Sequence, residues 1–536
     1  MKRRTFIQGA LSAAAIAPVM LDRVYARPSS PLSLLAQLDA VNNDKILVLV
    51  QLFGGNDGLN TVIPGDDVNY PLYQNIRPTI YIDKQQLYNY GGIYMNPGVQ
   101  HGDKRGFAGM FEVGSLAILQ GIGYDKPNLS HFRSTDIWLS GINPEDSLNV
   151  VLNTGWLGRF LEQRYPSFPA SLPPDPLAIN FGGFSLALTS EKGRMGIEVD
   201  NPNLQAGGLE ANGDAMDDNH AGTRYELEYA FVADVANRSN VYAQRVKSAY
   251  MNGKAKLKGN YGSDGFAQQM ASVAALIAGG LDTKVYVVGV GGFDTHVNQA
   301  GDDHSGTGAH ANLLGQVADA IGQFQYDLLQ LDQSGTKVSD RVLGLTISEF
   351  GRRPHENGSY GTDHGAASVQ FVFGTQIAGG VFGQTADLSN FDANGDIPWQ
   401  IDYRQVYTSL LVDWFGMTLD DARTVLADTN KNLNPLPGLL KAPASVSSPT
   451  IESLAFSVYP NPVSSRGNLK VDLPRAGYVT IEMSSTDGKR SQTIMERSLA
   501  AGSYTIPFTT DVASGAYLLS IRTGSERVTQ LVNVVR

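Results

Sequence analysis

The feature that most constrains the fold of this chain is the alternation of short apolar runs with longer amphipathic stretches. Residues 46–53, ILVLVQLF, form a continuous apolar run bounded by polar residues and glycines, which is typical of a strand buried on both faces. Similar runs recur at residues 115–122, 285–291, 342–347 and 369–373. Helical patterns lie between the runs, at residues 154–163, 224–251, 265–278 and 311–331. This order predicts an α/β fold, with a doubly wound, mainly parallel sheet covered by helices on both faces.

Composition narrows the classes of function. The chain has 536 residues, which exceeds the usual size of one hydrophobic core, so we expect more than one domain. Its formal net charge of −11 argues against nucleic acid as a main partner, because phosphate binding is driven by clustered Lys and Arg. The chain contains no cysteine, so any bound metal ion must be held by His, Asp, Glu or backbone oxygen.

The first residues have the pattern of an export signal. A basic start with Arg3 and Arg4 leads into an apolar stretch of small residues and ends at residues 24–26, VYA, a plausible cleavage site. Residues 1–26 resemble a twin-arginine signal, and an ordinary secretory signal is the alternative. No other segment reaches the roughly 18 apolar residues that span a bilayer, so we expect no transmembrane segment in the mature chain.

The character of the sequence changes after about residue 440. Residues 436–451 are small, polar and punctuated by proline, as expected of a linker. Residues 452–536 alternate short strand patterns with turn residues, which predicts a small all-β sandwich of roughly 85 residues. This segment resembles the C-terminal sorting domain of the type IX secretion system, through YPNP at residues 459–462 and GAY at residues 515–517. A carbohydrate-binding module is the alternative, although such a module would expose more aromatic side chains.

The two termini together imply export. The resemblances predict that export machinery acts on both ends of the chain, with the periplasm in transit and the cell surface or the extracellular space as the destination. They do not say whether the sandwich is cleaved or remains as a permanent module.

Four stretches place polar side chains directly after predicted strands or ahead of a predicted helix. Because the carboxyl ends of parallel strands meet at one edge of a sheet, we expect these side chains to lie close together. Half of the chain's 8 histidines also lie between residues 296 and 355, which is hard to explain by packing alone. The candidate residues, in chain order, are Asp57, Ser130, Arg133, Asp294, His296, His310, Asp363 and His364, with Glu349 and Arg352 as accessory residues.

These residue types suit divalent metal chemistry. Ions such as Zn²⁺ or Mn²⁺ accept imidazole nitrogen and carboxylate oxygen, and a pair of them can clamp the oxygens of a phosphoryl or sulfuryl transfer. Asp294 and His296 would point to the same side of a continuing strand, whereas Asp363 and His364 can share a metal only from an irregular loop. Ser130 at a helix N-terminus would have backbone N–H groups near it for an anionic substrate.

The order of these motifs resembles the alkaline phosphatase and sulfatase superfamily. More closely, GGNDGLN, SHFRSTDIW, FDTH and EFGRRPHENGSYGTDHG are similar to the bacterial family catalogued as domain of unknown function 1501, over residues 40–435. The resemblance implies an alkaline-phosphatase-like fold. It also implies two metal sites, one formed by Asp57, Asp363 and His364 with Ser130 as the nucleophile, and one formed by Asp294, His296 and His310.

The sequence departs from the superfamily pattern in two places. Asp294 and His296 are two positions apart, where phosphatases commonly have four, and no histidine follows His364. His310 could substitute from the following helix, Glu349 could complete a site, or one metal site could be absent.

Two functions from different classes therefore remain open. One is a secreted metal-dependent hydrolase of phosphate or sulfate esters with a serine nucleophile, acting on a small anionic ester or a surface glycan. The other is a catalytically silent binding or assembly protein of the cell surface on the same fold. On the simpler interpretation, Ser130 is only a helix cap and Asp57 only a turn residue.

Overall fold

The structure is a computed structural model that describes residues 44–100, 105–144, 150–182, 185–200, 241–301, 303–335, 338–441, 454–473, 477–499, 502–523 and 526–536. The predicted export signal, most of the predicted linker and the first part of the helical prediction at residues 224–251 lie outside these residues. The chain divides into two compact units, the first ending at Lys441 and the second beginning at Ala442.

The first unit contains both strands and helices. Its strands are β1 (Ile46–Leu52), β2 (Val62–Ile63), β3 (Tyr88–Tyr90), β4 (Ile93–Met95), β5 (Leu116–Gly123), β6 (Ala178–Asn180), β7 (Thr189–Ser190), β8 (Gly193–Arg194), β9 (Ile197–Glu198), β10 (Val285–Val290), β11 (Val342–Ile347), β12 (Gly351–Glu356), β13 (Thr362–Gly365), β14 (Ser368–Phe373), β15 (Gly380–Phe382) and β16 (Ile401–Asp402). Its α-helices are α1 (Asn69–Ile76), α2 (Phe107–Glu112), α3 (His131–Ser140), α4 (Trp156–Arg164), α5 (residues 241–254), α6 (Gly265–Ala278), α7 (Ala309–Gln333), α8 (Tyr403–Ser409) and α9 (Leu419–Val425). Short 3₁₀ or π turns occur at Pro97–Val99, Leu186–Leu188, Ser339–Arg341 and Leu410–Trp414.

A nine-stranded mixed sheet forms the centre of the first unit. Its strand order is β15-β5-β14-β11-β1-β10-β6-β9, with β16 also beside β5. Strand β1 pairs in parallel with both β10 and β11, while β14 runs antiparallel to β11 and to β5. Because β14 is antiparallel to both β5 and β11, these two strands run in the same direction. Strands β5, β11, β1 and β10 therefore all direct their carboxyl ends to the same edge. The predicted α/β fold class with a mainly parallel sheet is confirmed.

Helices cover both faces of this sheet. Ile46, Val48 and Val50 of β1 lie in one buried cluster with side chains of α6 and α7. Leu47 and Leu49 lie in a second cluster with side chains of α3, α4 and α8. Successive side chains of a strand point to opposite faces, so a strand covered on both faces must be apolar at every position. This is why the run at residues 46–53 is continuous.

The predicted elements correspond closely to the observed ones. The five apolar runs form β1, β5, β10, β11 and β14, and three of the helical patterns form α4, α6 and α7. One local expectation is wrong: Asp363 and His364 do not lie in an irregular loop. They lie in β13, which forms an antiparallel hairpin with β12 between β11 and β14 in the chain, and the register of that hairpin shifts between Arg352 and Glu356.

The second unit is all-β. Its strands are β17 (Ala455–Tyr459), β18 (Arg466–Leu473), β19 (Gly477–Ser485), β20 (Ser491–Leu499), β21 (Gly502–Thr509), β22 (Gly515–Thr523) and β23 (Glu526–Val534). They form one sheet in the order β17-β18-β21 and another in the order β20-β19-β22-β23, around a shared apolar core. The predicted β-sandwich is confirmed. Strand β20 lies at the edge of its sheet and is rich in polar and charged residues.

Among the described residues, no helix combines the length and the apolar character needed to cross a membrane.

Candidate metal centre

Side chains from four separate segments meet at the edge of the sheet where β1, β5, β10 and β11 end. His131 begins α3, after β5, and Asp294 and His296 follow β10. Glu349 follows β11, and His364 lies in the β12–β13 hairpin. Parallel strands direct all of these segments to one edge, which is where ligands bind in open α/β sheets.

The shortest distances in this cluster join imidazole nitrogens and one carboxylate. His296 Nε2 lies 2.9 Å from His364 Nε2. Asp294 Oδ1 lies 3.2 Å from His296 Nε2 and 3.4 Å from His364 Nε2, and Asp294 Oδ2 lies 3.5 Å from His131 Nε2. The structure thus brings Asp294, His296 and His364 together and adds His131. We refer to these four residues as the histidine–aspartate cluster.

The hydrogen bond made by Nδ1 of each imidazole determines whether its Nε2 carries a hydrogen or a lone pair. Each Nδ1 atom faces a group that only accepts hydrogen bonds, so each Nδ1 carries a hydrogen and each Nε2 of a neutral ring presents a lone pair. The contacts are His364 Nδ1 to Leu129 O at 2.9 Å, His296 Nδ1 to Asp363 Oδ1 at 3.0 Å and His131 Nδ1 to Glu349 Oε1 at 2.8 Å. When the rings are neutral, three Nε2 lone pairs therefore face the Asp294 carboxylate.

Burial and nearby charges shift the pKa of two carboxyl groups and of one imidazole at this edge. Partial burial raises the pKa of Asp294, but the hydrogen bond and positive charge of Arg352 outweigh it and hold that pKa below its usual value. The pKa of His364 is lowered, first by partial burial and also by the nearby Arg352 and His131. A hydrogen bond from Asn357 is the largest cause that lowers the pKa of Asp363. The cluster thus combines an ionised carboxylate with an imidazole that resists protonation.

Arg352 is the buried scaffold of this edge. Its guanidinium donates to the carbonyl oxygens of Gly55 at 2.8 Å, Thr362 at 2.8 Å and Phe293 at 2.9 Å, and also to that of Gly54. It donates to Asp294 Oδ1 at 2.7 Å as well. Arg352 therefore ties the ends of β1 and β10 to the β12–β13 hairpin and holds Asp294 in place. A guanidinium suits this role because its five N–H donors have a fixed geometry.

Gly54 allows these segments to approach so closely. Its φ is +123°, and a Cβ at this position would lie 2.1 Å from the backbone nitrogen of Asp294. The same residue donates its N–H to Glu349 Oε1 at 2.8 Å. Any side chain at position 54 would push the ends of β1 and β10 apart.

The donor set fits a divalent transition-metal ion. Ligand atoms at about 2.0–2.2 Å from one tetrahedral ion lie about 3.3–3.6 Å from each other. The Asp294 oxygens lie at 3.2, 3.4 and 3.5 Å from the three imidazoles, and the ligand atoms of His131, Asp294 and His364 all lie within 4.8 Å of one another. If one of the two rings carried a hydrogen on Nε2, the 2.9 Å contact between His296 and His364 would be a hydrogen bond. That single hydrogen could not also bond to His131 Nε2 and to the Asp294 carboxylate. The four side chains are between 21% and 48% exposed, so solvent reaches them. Three imidazoles and a carboxylate are donors that Zn²⁺ and Mn²⁺ accept.

The structure does not bring Asp57 to this cluster. Its carboxylate is fully buried and accepts two hydrogen bonds from Arg77, at 2.6 and 3.0 Å, and one from Gln299 at 2.5 Å. Burial raises the pKa of Asp57, but the charge and hydrogen bond of Arg77 outweigh it and lower that pKa overall. Asp57 is thus the partner of a buried arginine, and its oxygens are already occupied.

His310 is also separate from the cluster. It is 2% exposed, its Nε2 lies 2.9 Å from Asn56 Oδ1, and burial lowers its pKa to about 4. His310 lies on the helix that follows β10, as predicted, but its position in α7 directs its ring into the core.

Ser130 and Arg133 lie at the start of α3, beside His131. Ser130 is the exposed N-cap of that helix, and its side chain makes no capping hydrogen bond. It stands between Leu129, whose carbonyl accepts from His364, and His131. Arg133 donates to the carbonyl of Val150 at 2.6 Å, so the structure gives it a contact outside the cluster.

Sequence reasoning missed His131, although the motif that contains it was recognised. A serine before a helix suggests both a cap and a nucleophile, so the sequence favours Ser130 over the neighbouring His131. The overlooked signal is that His131 is the first residue of a helix that begins at the same sheet edge as the other candidates. Asp363 and Glu349 were expected near a metal, and the structure instead places both against imidazole Nδ1 atoms.

Large apolar side chains are exposed beside the cluster residues in the chain. Phe132, which follows His131, is 87% exposed. Phe53 precedes Gly54, Val297 follows His296, and Tyr360 lies in the turn of the β12–β13 hairpin; all three are exposed. These residues give the edge an apolar character beside its charged centre.

Fold and cluster together define an α/β protein with a histidine–carboxylate centre at the carboxyl edge of its sheet. The chain belongs to the family described as "Protein of unknown function (DUF1501)", whose sequence model matches residues 147–428. Residues 457–534 match the family described as "Secretion system C-terminal sorting domain", so the chain carries a type IX sorting tail, which implies export to the cell surface or beyond. No curated protein matches the chain.

Three solved structures show distant likenesses to this chain. A putative sulfatase from Bacteroides fragilis has 10% identity and a TM-score of 0.26, with 88% of this chain and 90% of that chain covered. A protein of Bacteroides thetaiotaomicron, from a locus for the metabolism of multiple glycosaminoglycans, has 11% identity and a TM-score of 0.32, with 85% and 90% covered. An alkylpurine DNA glycosylase from Pseudomonas fluorescens has 15% identity and a TM-score of 0.12, with 15% of this chain and 29% of that chain covered. TM-scores this low carry no argument about the chemistry of this chain.

Proposed function

We propose that the first unit is an exported metal-dependent hydrolase of phosphate or sulfate esters. In this proposal the histidine–aspartate cluster holds one divalent ion and Ser130 is the nucleophile. The observation that carries the proposal is that three imidazole Nε2 atoms lie 3.2 to 3.5 Å from the Asp294 carboxylate, and that His131, Asp294 and His364 offer ligand atoms that all lie within 4.8 Å of one another. A divalent cation beside the Asp294 carboxylate would accept the lone pairs of the neutral imidazoles.

The surrounding residues support this role by fixing the four side chains. Asp363 and Glu349 accept hydrogen bonds from two of the imidazoles, and a carboxylate behind a histidine fixes its tautomer and strengthens it as a ligand. Arg352 holds Asp294. A divalent ion bound there supplies a Lewis acid that stabilises negative charge on ester oxygens and lowers the pKa of water.

Ser130 is the nucleophile in this proposal because it is an exposed hydroxyl between two residues that contact the cluster. Its oxygen forms a bond to phosphorus or sulfur while its proton passes to solvent. The alcohol oxygen leaves with the electron pair of the broken bond and takes a proton from water. Water then cleaves the ester on Ser130 and restores the hydroxyl.

A specific observation also favours a silent binding protein. If His296 joins His131, Asp294 and His364, four protein ligands fill a tetrahedral coordination sphere, which is the arrangement of structural rather than catalytic zinc sites. The exposed Phe132, Phe53 and Tyr360 would then serve a partner instead of a substrate. The second candidate function is therefore a metal-stabilised binding protein of the cell surface.

Metal content and turnover separate these functions. Protein purified without chelator is analysed for bound metal, then assayed with aryl phosphate and aryl sulfate esters after loading with Zn²⁺ or Mn²⁺. We expect about one tightly held ion per chain, a loss of that ion in His296→Ala, and no loss in His355→Ala, which changes an exposed histidine of the same hairpin. Less than one ion per chain in the unmodified protein contradicts both functions. Bound metal without turnover supports the second.

A further inference from the structure

One buried amide joins the two segments that carry the ligand residues. Gln299 is fully buried, and its Oε1 accepts a hydrogen bond from Thr295 Oγ1 at 2.9 Å and another from Thr362 Oγ1 at 2.7 Å. Thr295 stands between Asp294 and His296 in the chain. Thr362 immediately precedes Asp363 and His364 in β13, so a single oxygen atom holds both motifs.

The orientation of this amide is determined by Asp57. Gln299 Nε2 donates to Asp57 Oδ2 at 2.5 Å, and a carboxylate can only accept hydrogen bonds. The NH₂ group of Gln299 must therefore face Asp57, so its oxygen must face the two threonines. Arg77 keeps Asp57 ionised through its own contacts with both carboxylate oxygens.

Backbone contacts place the same two segments side by side. The N–H of Thr362 donates to the carbonyl of Thr295 at 3.2 Å, and the N–H of Gln299 donates to the carbonyl of Tyr360 at 2.8 Å. These backbone hydrogen bonds bring the two segments together but do not fix the rotation of the threonine side chains. The amide oxygen of Gln299 provides that second constraint, below the surface where the ligand residues are exposed.

We propose that Gln299 is a positioning residue, which couples the Asp294–His296 segment to the Asp363–His364 segment while Asp57 sets the direction of its amide. The inference rests on the proposed function in so far as these segments carry its metal ligands. Asp57, which the sequence suggested as a ligand, thus acts on the site through Gln299. Groups that orient metal ligands typically change metal affinity by 10–100-fold when they are lost.

The test compares two glutamines of similar environment. Gln299→Met removes the amide and keeps much of the side-chain volume. Gln323→Met is the matched control, because Gln323 is a buried glutamine of α7 whose Oε1 also accepts two hydrogen bonds, from Arg105 and Asn260. Thr362→Val removes one of the two hydroxyl donors at Gln299 without changing the shape of the side chain.

Two readouts are recorded on the full chain. Competition with a chelator measures the affinity for Zn²⁺, and NMR of protein with ¹⁵N-labelled histidine measures the imidazole signals of His296 and His364 without added metal. We expect Gln299→Met to bind Zn²⁺ about 10–100-fold more weakly, Thr362→Val to fall between it and the unmodified protein, and Gln323→Met to bind normally. The NMR signals of His296 and His364 should shift in Gln299→Met and Thr362→Val but not in Gln323→Met.

The outcomes separate this inference from the proposed function. If the unmodified protein binds no Zn²⁺, the proposed function fails, and the histidine signals alone judge the role of Gln299. Shifted signals in Gln299→Met with unchanged signals in Gln323→Met support it. Unchanged signals in Gln299→Met overturn it, as does unchanged Zn²⁺ affinity in that variant. If Gln299→Met does not fold, Thr362→Val decides by the same criteria.

Discussion

Replacement of Arg77 by methionine is expected to lower the stability of the first unit more than most single substitutions. Arg77 is fully buried and donates to Asp57, to Asn60 Oδ1 at 2.7 Å, and to the carbonyls of Arg353 and Pro354 at 2.8 Å each. These contacts join α1 and the end of β1 to the β12–β13 hairpin. Methionine retains the apolar length of the side chain but none of its donors.

The expected loss is about 3–5 kcal/mol in the free energy of unfolding. That is the usual cost of removing one partner of a buried ion pair, because the remaining charge is left uncompensated. In the variant, Asp57 would still accept hydrogen bonds from the N–H of Leu59 at 3.1 Å and from the amide of Gln299, which limits the loss of stability. The absence of the hydrogen bonds from Arg77 to Asn60 and to two backbone carbonyls increases the loss of stability. Domains are typically stable by about 5–15 kcal/mol, so the variant should still fold.

The loss should depend on pH in a definite direction. The pKa of Asp57 in the folded protein lies below its ordinary value of 3.8, so the ion pair stabilises the protein fully above that value and less as pH falls through the folded pKa. In Arg77→Met, burial without the arginine raises the pKa of Asp57, so the variant regains stability as pH falls. The difference between the two proteins is therefore largest near neutrality and shrinks in acid.

Tryptophan fluorescence during urea unfolding is the appropriate assay. The four tryptophans, Trp138, Trp156, Trp399 and Trp414, all belong to the first unit, so the signal is free of the β-sandwich. Measurements at pH 7 and pH 4.5 give the free energy of unfolding of each protein at two points on the predicted curve.

An exposed ion pair provides the control. Lys431 Nζ lies 3.4 Å from Asp420 Oδ1 with both side chains exposed, so Lys431→Met should cost less than about 1 kcal/mol. The reasoning is refuted if Arg77→Met costs no more than this control, or if its cost is larger at pH 4.5 than at pH 7.

Three further predictions concern the site and the termini. In Gly361→Ala, the added Cβ would lie 2.3 Å from the carbonyl carbon and oxygen of His296, so the hairpin must move away. The Zn²⁺ affinity should therefore fall by about 10–100-fold. Gly358→Ala is the control, because its Cβ would have no atom within 4 Å and the Zn²⁺ affinity should not change. Ser130→Ala should remove nearly all ester hydrolysis while metal content stays the same, and unchanged turnover would eliminate Ser130 as the nucleophile. Mass spectrometry of secreted protein should find a chain that begins near Arg27 and ends between about residues 440 and 455, whereas an intact C-terminus would indicate a permanent sandwich.

The candidate site was only partly predictable because its chemistry depends on which segment lies against which. Asp57 and Asp294 each follow a buried strand and look equivalent in the sequence. The difference is the arginine that each contacts: Arg77 donates to both oxygens of the buried Asp57, whereas Arg352 donates to Oδ1 alone of the partly exposed Asp294. His131 and His310 show the reverse error, since the chosen histidine is buried in the core and the overlooked one lies at the cluster.

The sequence by itself determined the elements, the class of fold and the sheet edge at which the polar residues collect. Buried strands require apolar residues at every position and helices require them at every third or fourth, so these patterns can be read within a short window of sequence. Only the tertiary structure decided which carboxylates are free and which nitrogen of each imidazole carries a hydrogen. Those properties arise from contacts between residues far apart in the chain, such as the bond from Gln299 to Asp57 across 242 positions. No local pattern records such a contact, because the packing of whole strands and helices creates it.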